Sequence, residues 1–202
     1  MPSPDPARSV RSDARRNRDK LVAVARAAFA AADGTVALEA VAREAGVGIG
    51  TLYRHFPTRE ALVEAVYAAE LDDVTAGAPA LLEQLPPEEA LRAWMDRYAA
   101  FVATKRGMGD ALRASVASGR IATPATRQRI TAAIGAILDA GVASGTLRPA
   151  DPEDVTLLLL GTFLSTSGDE DAERTGRMLD LIAAGLHAGR EVGYAAPPPQ
   201  AK

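Results

Sequence analysis

Between Leu38 and Arg59 the chain reads LEAVAREAGVGIGTLYRHFPTR, two short apolar periodicities separated by a glycine-containing turn. Leu38, Val41, Ala42 and Ala45 fall at i, i+3, i+4 and i+7, one face of a short helix. Gly46 stops it, because glycine tolerates the left-handed backbone that ends helices, and Val47 just beyond can turn back into a core. Residues 49–56 then predict a second helix, about 12 Å long at ~1.5 Å per residue. Leu52 and Phe56, four residues apart, stack on one side and leave Thr51, Tyr53, Arg54 and His55 pointing elsewhere. Pro57 ends this helix, since the residue before a proline avoids the helical region, and Thr58 can cap a third helix beginning at Arg59. One face packs and the other is free, on a helix that fits a major groove ~12 Å wide, so double-stranded DNA is the first partner to consider.

The charge distribution supports that choice once the chain is divided. The net charge of −3 conceals ten Lys or Arg against six Asp or Glu up to Arg59, and thirteen against twenty beyond it. Such asymmetry is a nucleic-acid signal, although arginine abundance by itself also follows from the bias of a GC-rich genome. Arg8, Arg11, Arg15, Arg16 and Arg18 precede the apolar part of the first helix, behind a Pro- and Ser-containing start. Residues 1–12 are expected to be a disordered basic arm that either reaches phosphates or the minor groove, or is solvated and contacts nothing. Leu21, Val24, Ala25, Ala28 and Phe29 give the stripe of the first helix, which should end at Asp33-Gly34 and share a small core with Leu38, Val41, Leu52, Phe56 and Leu62. At the start of the third helix, exposed backbone N–H groups and the positive dipole end form a ready phosphate site, which Arg59 reinforces.

Other function classes find little support. With no cysteine there can be no disulfide, thiolate metal site or cysteine nucleophile. His55 and His187 are the only histidines, and no paired acid–base spacing, metal-ligand spacing or Gly-rich phosphate loop accompanies them. The expectation is therefore a non-enzyme without catalytic residues, metal or cofactor. No run of about 18 apolar residues is present, and the N-terminal arginines are followed by no apolar stretch of a leader, so a cytoplasmic protein with no membrane partner is expected.

Past Arg59 the pattern is that of longer helices. Leu62, Val63, Val66, Tyr67 and Leu71 form a stripe that Gly77 and Pro79 should kink or end. Pro86-Pro87 with Glu88 and Glu89 marks another start, followed by Leu91, Trp94, Met95, Tyr98, Phe101 and Val102 at helical spacing. This bulky series is core by default. Read functionally, Trp94, Met95, Tyr98 and Phe101 line a small-molecule cavity with Met108, Leu112, Ser115 and Thr131. Thr123-Pro124 opens a helix to about Ser144, and Asp151-Pro152-Glu153-Asp154 starts one that is apolar nearly all round and hence buried on most sides. With the last helix, also over-apolar, it implies a homodimer interface: Leu160, Phe163 and Leu164 from the former, Met178, Leu179, Ile182 and Leu186 from the latter. Residues 193–202 are low-complexity and expected to be disordered.

The string GVGIGTLYRHFPTREAL (46–62) resembles the DNA-binding segment of TetR-type transcriptional regulators, and ARRNRDKLVAVARAAFAAADG (14–34) is similar to that family's first helix. The likeness spans roughly residues 13 to 70. KRGMGDAL (105–112) and GTLRPADPEDV (145–155) are similar to its SbtR-like branch. The resemblance implies an all-α chain with a helix-turn-helix DNA-binding domain at 13–58 and a larger helical ligand-binding and dimerisation domain at 59–192. It also implies pairing through the last two helices, a near-palindromic operator, and a repressor released by a small, partly hydrophobic effector. Thr51 and Tyr53 match positions that contact bases or phosphates, His55 a phosphate contact, and Gly50 a place where backbone can approach DNA; Arg15, Arg16, Arg18, Arg54 and Arg59 supply charge. Ile49 departs from the polar residue common at its position, and either joins the core beside Leu52 or meets a thymine methyl. Ala37 stands where the family has a capping Thr, and Thr35 is a candidate substitute. The alternative reading is a helical protein-interaction module without specific DNA binding.

Overall fold

The computed structural model describes residues 6–32, 35–105, 108–166 and 172–189, with side chains from residue 13 onward. Among the described residues the chain is all-α: α1 (Pro6–Ala31), α2 (Leu38–Glu44), α3 (Ile49–His55), α4 (Arg59–Leu82), α5 (Pro87–Thr104), α6 (Gly109–Ala117), α7 (Pro124–Ser144), α8 (Pro152–Ser165) and α9 (Ala172–Leu186). Two compact units share these helices. The first holds residues up to Gly77 and Asp96–Ile130; the second holds Ala78–Met95 and the residues from Thr131 onward, so the division falls inside α4, α5 and α7.

The first unit is organised by one apolar cluster. Leu21, Val22, Ala25 and Phe29 of α1, Leu38, Val41 and Ala42 of α2, Leu52 of α3, Phe56, and Leu62, Val63 and Val66 of α4 are buried together. Met108 and Ala111, at the start of α6, join the same cluster, with Leu112 packed against it. Met108 and Leu112, read from sequence as cavity-lining, are brought to this cluster by the return of the chain after α5. Between α2 and α3, Gly46 takes φ +69°. Its N–H donates to Arg43 O at 3.1 Å and that of Val47 to Ala42 O at 3.0 Å, which satisfies two of the carbonyls left over at the end of α2.

Several local expectations are corrected. Helix α1 begins at Pro6, inside the stretch expected as a disordered arm, while residues 1–5, Asp33-Gly34 and the 193–202 tail lie outside the described residues. Helix α2 is preceded by Ala37 with no side-chain cap, so Thr35 does not substitute for the missing threonine. Helix α4 passes through Gly77 and Pro79 to Leu82 rather than ending there. Proline forfeits a single donor, and the backbone resumes with Glu83 N–H donating to Pro79 O at 3.1 Å. The caps expected at Thr58 and Asp151 are present: Thr58 Oγ1 accepts from Ala61 N–H at 3.2 Å and Asp151 Oδ1 from Glu153 N–H at 2.8 Å.

A cation lies among the aromatics of the first unit. Lys105 Nζ sits 4.2 Å from the centre of the Phe101 ring and 5.4 Å from that of Tyr67. The Tyr67 and Phe101 rings meet edge-on at 5.3 Å, and Tyr98 stacks on Phe101 at 6.0 Å. The ring faces attract the ammonium and offset part of its lost hydration. Burial nonetheless pulls its pKa down to about 8 from 10.5.

Two outcomes follow. Gly46→Ala forces a Cβ into the left-handed region and should lower stability by about 1–2 kcal/mol in a denaturant titration. For Lys105 the folded chain binds its proton less tightly than the unfolded one, so between about pH 8 and 10.5 folding releases a proton and stability rises with pH. Lys105→Met should be more stable than wild type below pH 8, on the order of 1–3 kcal/mol, and should lack the rise across that window, read from denaturation midpoints.

Candidate nucleic-acid interface

Helix α3 is held from below. Leu52 is fully buried and Phe56 is 2% exposed, while Ile49 is 38% and Tyr53 44% exposed. Exposure of Ile49 decides against the core role weighed for it. Gly48, Gly50 and Arg54 are also exposed, whereas Thr51 and His55 are half-buried. Arg54 lies back along its own helix, its Nε donating to Gly50 O at 3.2 Å and its Nη2 to Thr51 Oγ1 at 3.0 Å. The outward surface of α3 therefore carries an isoleucine, a tyrosine and a guanidinium, with no acidic side chain in the helix.

Helix α1 borders this surface with cations. Arg18 stacks over the Phe56 ring at 5.2 Å, which keeps its charge beside the end of α3. Arg15 is exposed, and Arg16 is paired with Asp13 on the open surface. Such an exchangeable pair costs little to break when a phosphate competes. Lys20, not singled out from sequence, reaches the turn between α2 and α3: its Nζ lies 3.9 Å from where a Cβ on Gly46 would stand. Its place one helical turn after Arg16 was the available signal.

Two expected phosphate elements are arranged otherwise. Arg59 turns inward, its Nη1 donating to Val36 O at 2.6 Å and its guanidinium 6.0 Å from the Phe29 ring. Its Nη2 is buried without a hydrogen-bond partner. Arg59 thus ties the approach to α2 to the start of α4, and its charge is withheld from the surface. The first turn of α4 already holds a carboxylate: Glu60 is kept below the usual carboxylate range by its own backbone N–H and by the Thr58 hydroxyl.

The residues expected to line a cavity fall in both units. Trp94 and Met95 are fully buried in the second unit; Tyr98, Phe101, Met108 and Ser115 are buried in the first. Ser115 Oγ donates to Glu64 Oε1 at 2.8 Å, and the same oxygen takes Arg120 Nε at 2.5 Å, joining the end of α6 to α4. Thr131 and Thr156 hydroxyls meet at 3.2 Å between α7 and α8. A cavity of about 730 Å³ in the second unit is lined by Glu88, Glu89, Arg92, Asp180, Ala183, Ala184, His187, Ala188 and Gly189. Across it Arg92 Nε donates to Asp180 Oδ1 at 2.7 Å. No helix among the described residues is long and apolar enough to cross a membrane.

The final helices differ from the apolar-all-round expectation. Phe163, Leu179 and Leu186 are buried within the chain's own second unit, and Leu160, Met178 and Ile182 are half-buried. The large apolar side chains that remain outside are Leu157 at 49%, Leu158 at 58%, Leu164 at 81% and Leu181 at 73%. Of these only Leu164 had been named. Residues 157, 158, 161 and 164 share one face of α8, a pattern that leucines at every position from 157 to 160 hide in the sequence.

Comparison with known proteins agrees with this architecture. The profile of bacterial regulatory proteins of the tetR family matches residues 21–66, and that of the transcriptional regulator SbtR-like C-terminal domain matches residues 86–188. A crystal structure of a TetR transcriptional regulator from Streptomyces coelicolor is 44% identical and superimposes with a TM-score of 0.75, covering 85% of this chain and 99% of that one. A TetR transcription regulatory protein from Mycobacterium vanbaalenii is 33% identical, with a TM-score of 0.67, 88% of this chain and 99% of that chain covered. No curated protein matches the sequence. A helix-turn-helix with an outward reading face, followed by an SbtR-like helical region, makes this chain a member of the TetR family of transcriptional regulators, DNA-binding transcription factors rather than enzymes.

Proposed function

We propose that this regulator is a homodimeric cytoplasmic repressor, that α3 of each protomer reads one half of a near-palindromic operator, and that a small, partly hydrophobic effector releases it. The observation that carries the reading is the division of α3 into a buried side, Leu52 with Phe56 behind it, and an exposed side, Ile49, Tyr53 and Arg54. A short helix anchored in this way presents its outer side chains at a fixed angle, which is what base-edge contacts in a major groove need. Arg15, Arg16, Arg18 and Lys20 border it and supply phosphate affinity that weakens with salt.

Pairing is supported by the leucines on the exterior of α8 and α9. Leu157, Leu158, Leu164 and Leu181 expose apolar surface that a second copy would cover, more than single scattered residues on neighbouring helices would need. Two reading helices related by a two-fold axis then bind two half-sites, and effector action requires that the ligand favour the protomer arrangement that DNA does not.

Fluorescence anisotropy on duplexes recovered by in vitro selection, against scrambled duplexes at two salt concentrations, tests the DNA reading. Tyr53→Ala and His55→Ala should each weaken selective binding about ten-fold or more while leaving the thermal midpoint nearly unchanged. Binding that is equal on both duplexes, vanishes with salt and ignores both substitutions would favour a protein-interaction module instead. Leu158→Asp combined with Leu164→Asp should convert a dimer to a monomer in light scattering and reduce operator affinity by at least ten-fold; an unchanged mass would refute pairing through this face. An effector should lower operator affinity while the mass stays that of a dimer.

A further inference from the structure

Helix α3 opens with glycines on both sides of Ile49: Gly48 is its N-cap, a position glycine serves well, whereas nothing inside the protein calls for Gly50 in the first turn. Gly48 has φ −69° and ψ 149°, an extended conformation open to any residue. Neither Gly48 nor Gly50 has a positive φ. A Cβ added at either would meet no atom within 4 Å, so packing does not exclude a side chain. Glycine inside a helix costs roughly 0.5–1 kcal/mol relative to alanine. At Gly50 the free chain thus bears a conformational cost that has no return within its own fold. What the pair of glycines does achieve is a bare backbone on either side of one branched aliphatic side chain, itself 38% exposed.

From this arrangement we infer that Ile49 reads a thymine, its side chain packing on the C5-methyl group while the bare backbone at Gly48 and Gly50 permits close approach to the base edges. The inference rests on the DNA-reading function proposed above and specifies what that reading selects. The other groups on the major-groove edges are hydrogen-bond donors or acceptors, N7, O6, O4 or an exocyclic amine, apart from the small C5–H of cytosine. Covering one of those with an isoleucine would strip it of water and return no hydrogen bond, a loss rather than a gain. The thymine methyl offers the largest apolar surface there and gains most from being covered by an aliphatic side chain. Within α3 the other large aliphatic side chain, Leu52, is fully buried, so Ile49 is the one such group that faces outward.

Removal of a single methyl group from DNA tests this directly. Full-length protein is bound to a duplex recovered by in vitro selection, and each thymine in the half-sites is replaced in turn by deoxyuridine, which keeps base pairing and charge. At one symmetric pair of positions the replacement should weaken binding about three- to five-fold per half-site, on the order of ten-fold for the dimer, as expected for one lost apolar contact. Ile49→Ala should bind the thymine duplex more weakly and be indifferent to deoxyuridine at that position, so that the two changes are not additive. Gly50→Ala should raise the thermal midpoint slightly yet lose at least ten-fold in affinity for the same duplex, separating close approach from folding. A flat deoxyuridine scan, or a thymine preference that Ile49→Ala retains in full, would overturn the inference and leave the regulator standing. Failure of selection to yield any preferred duplex would overturn both.

Discussion

Everything that this protein can present to DNA depends on the burial of Leu52 and Phe56 against α1, α2 and α4. Seven residues of α3 could not hold a helical conformation alone, since isolated helices shorter than about a dozen residues are marginal in water. The apolar anchors supply what propensity does not, and the cost of Gly50 within the helix makes that dependence sharper. Gly46 sets the angle at which α3 leaves α2, and the Val47 N–H bond to Ala42 O ties the turn to the helix before it. The outward direction of Ile49 and Tyr53 is then a geometric consequence of where Leu52 and Phe56 must go.

The same core extends beyond the short helices. Met108 and Ala111 from the start of α6 lie in the cluster that contains Leu52 and Phe56, and Glu64 of α4 receives both Ser115 and Arg120 from the other end of α6. On α4, Glu70 is buried beside Arg26 of α1, and burial raises its carboxyl above the usual range despite the opposing guanidinium. Helix α4 is thus gripped by α1 on one flank and by α6 on another, through polar contacts whose loss would leave buried groups unsatisfied. A displacement of α6 would have to be accommodated by the core that carries α3, because close-packed interiors transmit strain rather than absorb it.

Arginine shows how differently one residue type can be employed within a short stretch. Arg59 donates to Val36 O and faces Phe29, Arg54 folds onto its own helix, and Arg18 covers Phe56. Planar guanidinium groups can stack and donate at once, which lets a basic segment be both scaffold and electrostatic surface. Counting positive charge near the helix-turn-helix consequently overstates the charge that DNA meets. Glu60, occupying the first turn of α4, reduces it further.

The sequence by itself determined the class of fold, the existence and approximate limits of most helices, and the family. Those features are written in local signals: the i, i+3, i+4 spacing of Leu38 to Ala45, Gly46 as a stop, Pro57 and Thr58 as punctuation, Asp151-Pro152 as a cap. Local signals also divided α3 into packed and free sides. Tertiary structure alone decided the direction of Ile49 and Arg59, the joining of Met108 to the core of the first unit with Leu112 packed against it, and the exposure of Leu157, Leu158, Leu164 and Leu181. The reason is the same in each case. A helical stripe says that a side is apolar, but which neighbour covers it depends on contacts between residues far apart in the chain, and a run such as Leu157 to Leu160 carries no periodicity from which to choose.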